Sequence, residues 1–388
     1  MTRVAPPLAR PAVAAFFFSL GLGFGSWAVR IPDIQCQLGL GSGALGAALL
    51  AIPVGSLVGM PLVGWWCGRS HSARVLRLSG VLFAASVALP AWVGTLGGLA
   101  AALAVLGFGN GALGVAMNVQ GSLLERRIGR SIMSSFHGVF SLGGMIGALG
   151  GGAMDSTGMT ARVHLSAVAG VLVTLAAVAG LGVKTAPADG GRPTRSLALH
   201  SRRVLAGGVG AFCVLFGEGA VTDWSAIYLK SELRAETLAG AGYAAFAGAM
   251  ALGRFGGDRL AARLGAHRLV VLGGWLGAAG ITVGVLVPEP AVVVAGLGLM
   301  GAGLSVIYPQ IVSAAGRAPD VSPDAAIASV STVGYLGFLV GPPVIGGLAE
   351  FGSLRVALLL VAAGIIAVVP LAGVATREVP AGSQQPSP

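Results

Sequence analysis

Twelve long apolar stretches, separated by short polar ones, decide what this chain can become. They run roughly over residues 11–29, 43–66, 75–93, 96–123, 131–154, 163–183, 204–229, 238–256, 269–287, 291–315, 325–348 and 354–375. A helix needs about 20 apolar residues to cross the hydrocarbon core of a bilayer. In lipid every backbone amide must find its partner inside the protein, which favours helices for spans of this length. The expected fold class is therefore an all-α membrane protein with twelve transmembrane helices. The first span is the weakest for its glycines, the fifth for its polar face. Only 10% of residues are charged, against about 25% in soluble domains, so a soluble protein with one core is excluded. Arg3 and Arg10 precede the first run, which is longer than the apolar part of a signal peptide and reads as a retained span.

The cations fix an orientation. With the N-terminus in the cytoplasm, nineteen of the 24 Lys and Arg residues lie on that side. Only Arg30, Arg162, Lys230, Arg234 and Arg355 lie on the other. Positive loops stay in the cytoplasm, so both termini are expected there. The same placement explains the net charge of +10 without nucleic acid, because the basic residues sit in loops between spans. Cys36, Cys67 and Cys213 show neither disulfide nor metal spacing, so no metal site and no cofactor is expected.

One connection stands apart: residues 184–203 are long, polar and basic, and divide the spans six and six. The expected organisation is an N-terminal half at 1–183, a linker at 184–203, a C-terminal half at 204–376 and a disordered tail at 377–388. The halves look like copies. Gly68-Arg69 matches Asp258-Arg259 at an offset of 190, Gly109-Asn110-Gly111 matches Gly301-Ala302-Gly303 at 192, and Leu142-Gly143 with Gly147 matches Leu336-Gly337 with Gly341 at 194. A nearly constant offset argues duplication. Repeats with a midplane site between them mark secondary transporters. The runs Gly55-x-x-x-Gly59, Gly143-x-x-x-Gly147-x-x-x-Gly151 and Gly337-x-x-x-Gly341 suit close helix packing in lipid.

At these residues the chain resembles the major facilitator superfamily. Gly257-Asp258-Arg259, Arg263-x-Gly265 and Arg268 look like that family's cytoplasmic loop signature between the second and third helices of a half. The resemblance implies a latch in which Asp258, at a helix end, meets Arg259, Arg263 and Arg268. In the first-half copy Gly68 stands in place of the acid. A narrower resemblance lies in Trp27-x-x-Arg30-Ile31-Pro32, Met117-Asn118-x-Gln120, Ser134-Ser135-Phe136-His137-Gly138-x-Phe140-Ser141 and Glu218-Gly219-x-x-x-Asp223-Trp224. Together these look like bacterial inner-membrane permeases near the fucose-permease-like branch. The resemblance implies a monomer in a bacterial-type inner membrane, moving a small solute between its halves. Gly337-x-x-x-Gly341-Pro342-Pro343 looks like an antiporter motif, but it lies in the eleventh span rather than the fifth, so no antiport is inferred.

The apolar run at 204–229 carries two acids, Glu218 and Asp223. An ionisable group at membrane depth costs a few kcal/mol or more, so it marks a cavity, a partner or an ion path. Glu218 is the expected proton-coupling group, with His137 as a second candidate because its imidazole titrates near neutrality. Asn110, in mid-span, either binds solute or bonds another helix. Trp27 and Trp224 belong to an interfacial aromatic belt or form a stacking face at the cavity mouth, and Tyr335 is a further cavity candidate. Asn118, Gln120 and Gln310, nearer the cytoplasm, are expected at an inner gate. Arg30 and Asp223 each lie roughly 27 Å beyond the start of their spans at about 1.5 Å per residue, and are expected to pair as an outer gate. Asp33 competes for Arg30, with Pro32 expected to end the helix between them.

Together these features predict a secondary transporter that moves a small polar organic solute by alternating access, with sugar-like solutes favoured by the branch resemblance. Protons, the solute and lipid are the expected partners, and no ATP-binding P-loop pattern exists. Proton-antiport efflux of a toxin or metabolite is the alternative, and a non-transporting membrane sensor a further one. An enzyme is not expected, because the spans hold no nucleophile–base pair.

Overall fold

The structure, a computed structural model, describes residues 9–69, 72–129, 132–183, 198–319 and 321–376, with the side chain of Asp258 left out. Most of the expected linker and the whole expected tail therefore lie outside the described residues. Twelve long helical spans are present: Ala9–Leu38, Ser42–Arg69, Ser72–Trp92, Leu96–Ile128, Met133–Ser156, Ala161–Gly182, Arg202–Glu232, Ala239–Leu264, Ala266–Leu286, Pro290–Ala315, Pro323–Phe351 and Leu354–Ala375. Among the described residues there is no strand. Ten of the twelve are long and apolar enough to cross a membrane; the fifth and eighth fall short of that apolarity. Those two pack against each other and carry polar side chains inward. The second span changes helical segment at Leu50, three residues before Pro53.

Glycine explains how the spans lie so close. A Cβ added at Gly143 would overlap the carbonyl oxygen of Phe18, and one at Gly337 that of Phe212. Gly107 sits in the same way on Ile52, and Gly301 on Phe246. Each pair recurs 194 residues later, so the duplication is one of contacts as well as letters. At this register Gly64, rather than Gly68, stands opposite Asp258. Polar fastenings repeat too. Thr160 and Ser353 cap the sixth and twelfth spans by accepting from Val163 N and Val356 N. Two residues on, Arg162 donates to Ala91 O at 3.1 Å, and Arg355 to Val285 O at 2.7 Å and Leu286 O at 2.8 Å. Each arginine ties the sixth helix of its set to the end of the third.

A backbone carbonyl at a glycine contact cannot swing away as a side chain can, and overpacking costs about 1–3 kcal/mol or more. Gly143→Leu should therefore lower the thermal unfolding midpoint in detergent by several degrees. Gly170→Leu, where a Cβ meets nothing within 4 Å, should leave it unchanged. Equal midpoints for the two variants would remove close packing as the reason for Gly143.

The first six spans meet the last six along three seams. The fifth lies on the eighth, the second on the eleventh and the first on the seventh. Gly152 meets Gly240 on the first seam, and Gly46 meets Pro342 O on the second, where an added Cβ would come to 2.5 Å. Among the described residues the fourth and tenth spans do not form a seam of this kind with each other.

Candidate functional site

Glu218 lies about 24 Å along the seventh span at about 1.5 Å per residue, so it sits well inside the bundle. Its counter-charge comes from the eighth span. Arg254 Nη2 lies 3.7 Å from Glu218 Oε1, an ion pair too long for a hydrogen bond. The two side chains are 14% and 15% exposed, so neither is fully sealed by its neighbours. Arg254 also crosses the seam to the fifth span. Its Nη1 donates to Ser141 Oγ at 2.7 Å and to the His137 carbonyl at 3.5 Å, while Ser134 Oγ donates to the Arg254 carbonyl at 2.7 Å. The charge count placed Arg254 among the loop cations. It lies instead within the helix Ala239–Leu264, where its half-buried side chain turns to the fifth span.

His137 adjoins this centre through its carbonyl. Its ring stands edge-on to Phe17, 5.4 Å between centroids, and makes no hydrogen bond among the described residues. Asn110 resolves toward the helix-bonding reading: its Nδ2 donates to Ser56 Oγ at 3.0 Å, and Ser56 Oγ donates to Gly107 O at 2.7 Å. Tyr335, from the eleventh span, approaches the same Ser56 across the seam. Asn118 is spent on its own helix, donating to Gly114 O at 2.8 Å. Gln310 is half-buried and makes no hydrogen bond among the described residues. Gln120 corrects the inner-gate expectation, since it is buried within the first six spans and donates to Ser72 Oγ at 2.7 Å. Arg259, Arg263 and Arg268 are exposed, and the latch they were expected to form with Asp258 depends on a side chain outside the described ones.

Trp27 and Trp224 correct both expectations offered for them. They are 1% and 0% exposed, so neither belongs to an aromatic belt or lines a cavity mouth. Both indole Nε1 groups lack a hydrogen-bond partner among the described residues.

The expected pair of Arg30 and Asp223 does not form. Asp223 is buried, with no ion pair or hydrogen bond among the described residues. Arg30 is taken by other acids, because Pro32 does not end the first span. The helix runs on to Leu38, which holds Asp33 on the face of Arg30, three residues away. Arg30 Nη1 meets Asp33 Oδ2 at 2.7 Å and Asp155 Oδ1 at 2.8 Å. Lys230 Nζ, from the turn that ends the seventh span, meets Asp33 Oδ1 at 2.7 Å and Asp155 Oδ2 at 2.5 Å. Each carboxylate thus bridges one cation from each set of six spans or their end. Arg30 Nε also donates to His164 Nδ1 at 3.2 Å. A second fastening lies on the same arginine-poor face, where Glu350, at the end of the eleventh span, accepts from Gly43 N at 2.9 Å. These bonds close the face that carries few cations. Sequence reasoning passed over Asp155, His164, Lys230 and Glu350. Their one visible signal was that ionisable residues are scarce on that face.

The model of the Major Facilitator Superfamily matches residues 12–319 and 207–388. An uncharacterised MFS-type transporter of Yersinia pestis is 35% identical over 367 residues, covering 93% of this chain and 94% of its own. Membrane protein MosC of Rhizobium meliloti is 32% identical over 360 residues, covering 92% and 87%. Among solved structures, the nucleoside transporter NupG superposes with a TM-score of 0.75 at 11% identity, covering 96% of this chain and all of its own. A bacterial homologue of the human lysosomal transporter Spinster, inward-facing and occupied, superposes with a TM-score of 0.70 at 15% identity, covering 95% and 97%.

Proposed function

The chain belongs to the Major Facilitator Superfamily, and we propose that it moves a small polar organic solute by alternating access, driven by protons exchanged at Glu218. The basic face lies in the cytoplasm of a bacterial-type inner membrane in this reading, with both termini there. The closed, arginine-poor face then looks outward, and the solute path opens inward between the two six-helix halves.

The observation that carries the reading is the Glu218–Arg254 pair on the seam between those halves. Losing one charge of a buried pair costs about 3–5 kcal/mol when nothing replaces it. A proton on Glu218 removes the anion that faces Arg254, whose guanidinium then holds only Ser141 and the His137 carbonyl. Hydrogen-bond acceptors of a solute can restore the balance. Proton and solute thus load together, and release of the proton, with the solute gone, returns Arg254 to Glu218. Because Arg254 bonds to both halves, its choice of partner bears on how they sit against each other. Sugars and other polyols supply such acceptors, and so do nucleosides, the solutes named for the NupG structure that shares the fold.

The experiment is a thermal-shift screen of sugars, polyols and nucleosides on the purified protein, followed by counterflow of any stabilising solute in proteoliposomes. A ligand stabilises the state it binds by about 2.7 kcal/mol at a hundred times its Kd. Exchange of the labelled solute supports a transporter. Binding without exchange would make the protein a sensor instead.

A further inference from the structure

We infer that His164 is a proton-operated release for the closed outer face. The imidazole sits on the sixth span, 5% exposed, within hydrogen-bond reach of one group, the Arg30 guanidinium. Arg30 Nε carries a hydrogen and no lone pair, so it can only donate. His164 Nδ1 must therefore accept, and the ring's single hydrogen is on Nε2. A second proton would have to occupy the lone pair that Arg30 already uses. It would also set N–H against N–H and place a third cation beside Arg30 and Lys230.

The groups around the imidazole show that the closed face has no room for that charge. From the first span come Arg30 and Asp33, and from the fifth Asp155, while Lys230 stands beyond the two carboxylates. The two carboxylates are already balanced by Arg30 and Lys230, so an imidazolium would leave the cluster with a net positive charge. At the end of the third span Trp92 Nε1 donates to Ser166 Oγ, on the helix of His164. Arg162, on the same helix as His164, is turned away to Ala91 O. Gly151 packs against the ring itself, so the imidazole cannot swing aside without displacing the fifth span. An open face hydrates the ring and accepts its proton. By linkage, acid on the outside favours opening, by at most about tenfold per pH unit for one proton. In a proton-driven carrier this biases the empty protein toward the side from which protons enter. The inference takes its meaning from the alternating-access reading, yet its test needs no solute, so it can fail while transport stands.

The test measures distance across the outer face. Cys36 is exposed near the end of the first span, while Cys67 and Cys213 are buried. A nitroxide on Cys36 and one on Thr237→Cys report whether the face is open, by pulsed dipolar spectroscopy in nanodiscs. Between about pH 7.5 and about pH 5.5, a window that brackets histidine titration, the wild-type background should gain open population at least severalfold. His164→Asn keeps an acceptor where Nδ1 stood and cannot titrate. It should match the wild type at the higher pH and show no acid response. His164→Gln provides a second neutral acceptor if the Asn variant folds poorly. A wild-type distance that does not change with pH overturns the inference without any variant. An acid response that survives in the Asn or Gln variant assigns the titration to a group other than His164, and overturns it equally.

Discussion

Glu218→Gln should abolish uphill accumulation of solute while leaving solute exchange within a fewfold of the wild type. Glutamine has nearly the shape of the protonated side chain, so Arg254 is left permanently without its anion, as in the loaded state. With one proton per solute, a gradient of one pH unit supports about tenfold accumulation, since about 1.4 kcal/mol is a factor of ten. The variant has no proton to exchange and should level off near equal concentrations. Counterflow requires only the loaded carrier to cross, which the variant imitates. The two assays separate coupling from assembly, because a misfolded protein fails both. Accumulation by the Gln variant against a gradient would move the coupling site elsewhere, and Asp223, buried without a partner on the same helix, would be the next to test.

The second large effect is expected at the outer closure. Lys230→Met removes the only cation that the second half contributes to the four-residue network of Arg30, Asp33, Asp155 and Lys230. The side chains of Lys230, Asp33 and Asp155 are 19%, 22% and 14% exposed, between the exposed pairs worth about 0–1 kcal/mol and the buried pairs worth about 3–5 kcal/mol when broken. A loss of roughly 1.5–3 kcal/mol shifts an equilibrium about ten- to a hundredfold. The open outer population, read with the Cys36 and Thr237→Cys labels, should rise by that factor. Glu232→Gln, in the same turn but outside the network, should change nothing. Combining Lys230→Met with Asp155→Asn should cost less than the sum of the single changes, since both remove the Lys230–Asp155 contact. Full additivity, or an unchanged distance in the Lys230 variant, would reduce the network to a solvated rim.

How far the letters carried can be judged residue by residue. The spans and the repeat were legible because lipid forces long apolar helices and because close contacts demand glycine at fixed places, as at Gly143 and Gly337. Glu218 was legible because an acid in an apolar run is costly. Its partner was not, since Arg254 lies near the end of the expected eighth span and was counted with the loop cations, and only the packing of that helix on the fifth turns it inward. The outer closure was half legible. The scarcity of charge on that face singled out Arg30, but the partner depended on whether Pro32 ends the helix. The surrounding bundle carries the helix through, and Asp33 is thereby placed on the face of Arg30. Asp155 and His164 join from 125 and 134 residues away, a separation that no local pattern encodes. Trp27 and Trp224 look like belt residues by position alone, and only packing shows them to be interior.

The central claim is that solute and proton cross together through the site at Glu218 and Arg254. The most direct measurement follows the pH inside proteoliposomes with a trapped dye, with no gradient imposed, when a solute that binds is added outside. The account predicts that solute entry acidifies the lumen in the wild type, and that Glu218→Gln exchanges solute with no change in lumen pH. Solute entry into wild-type liposomes with the lumen pH unmoved would contradict it.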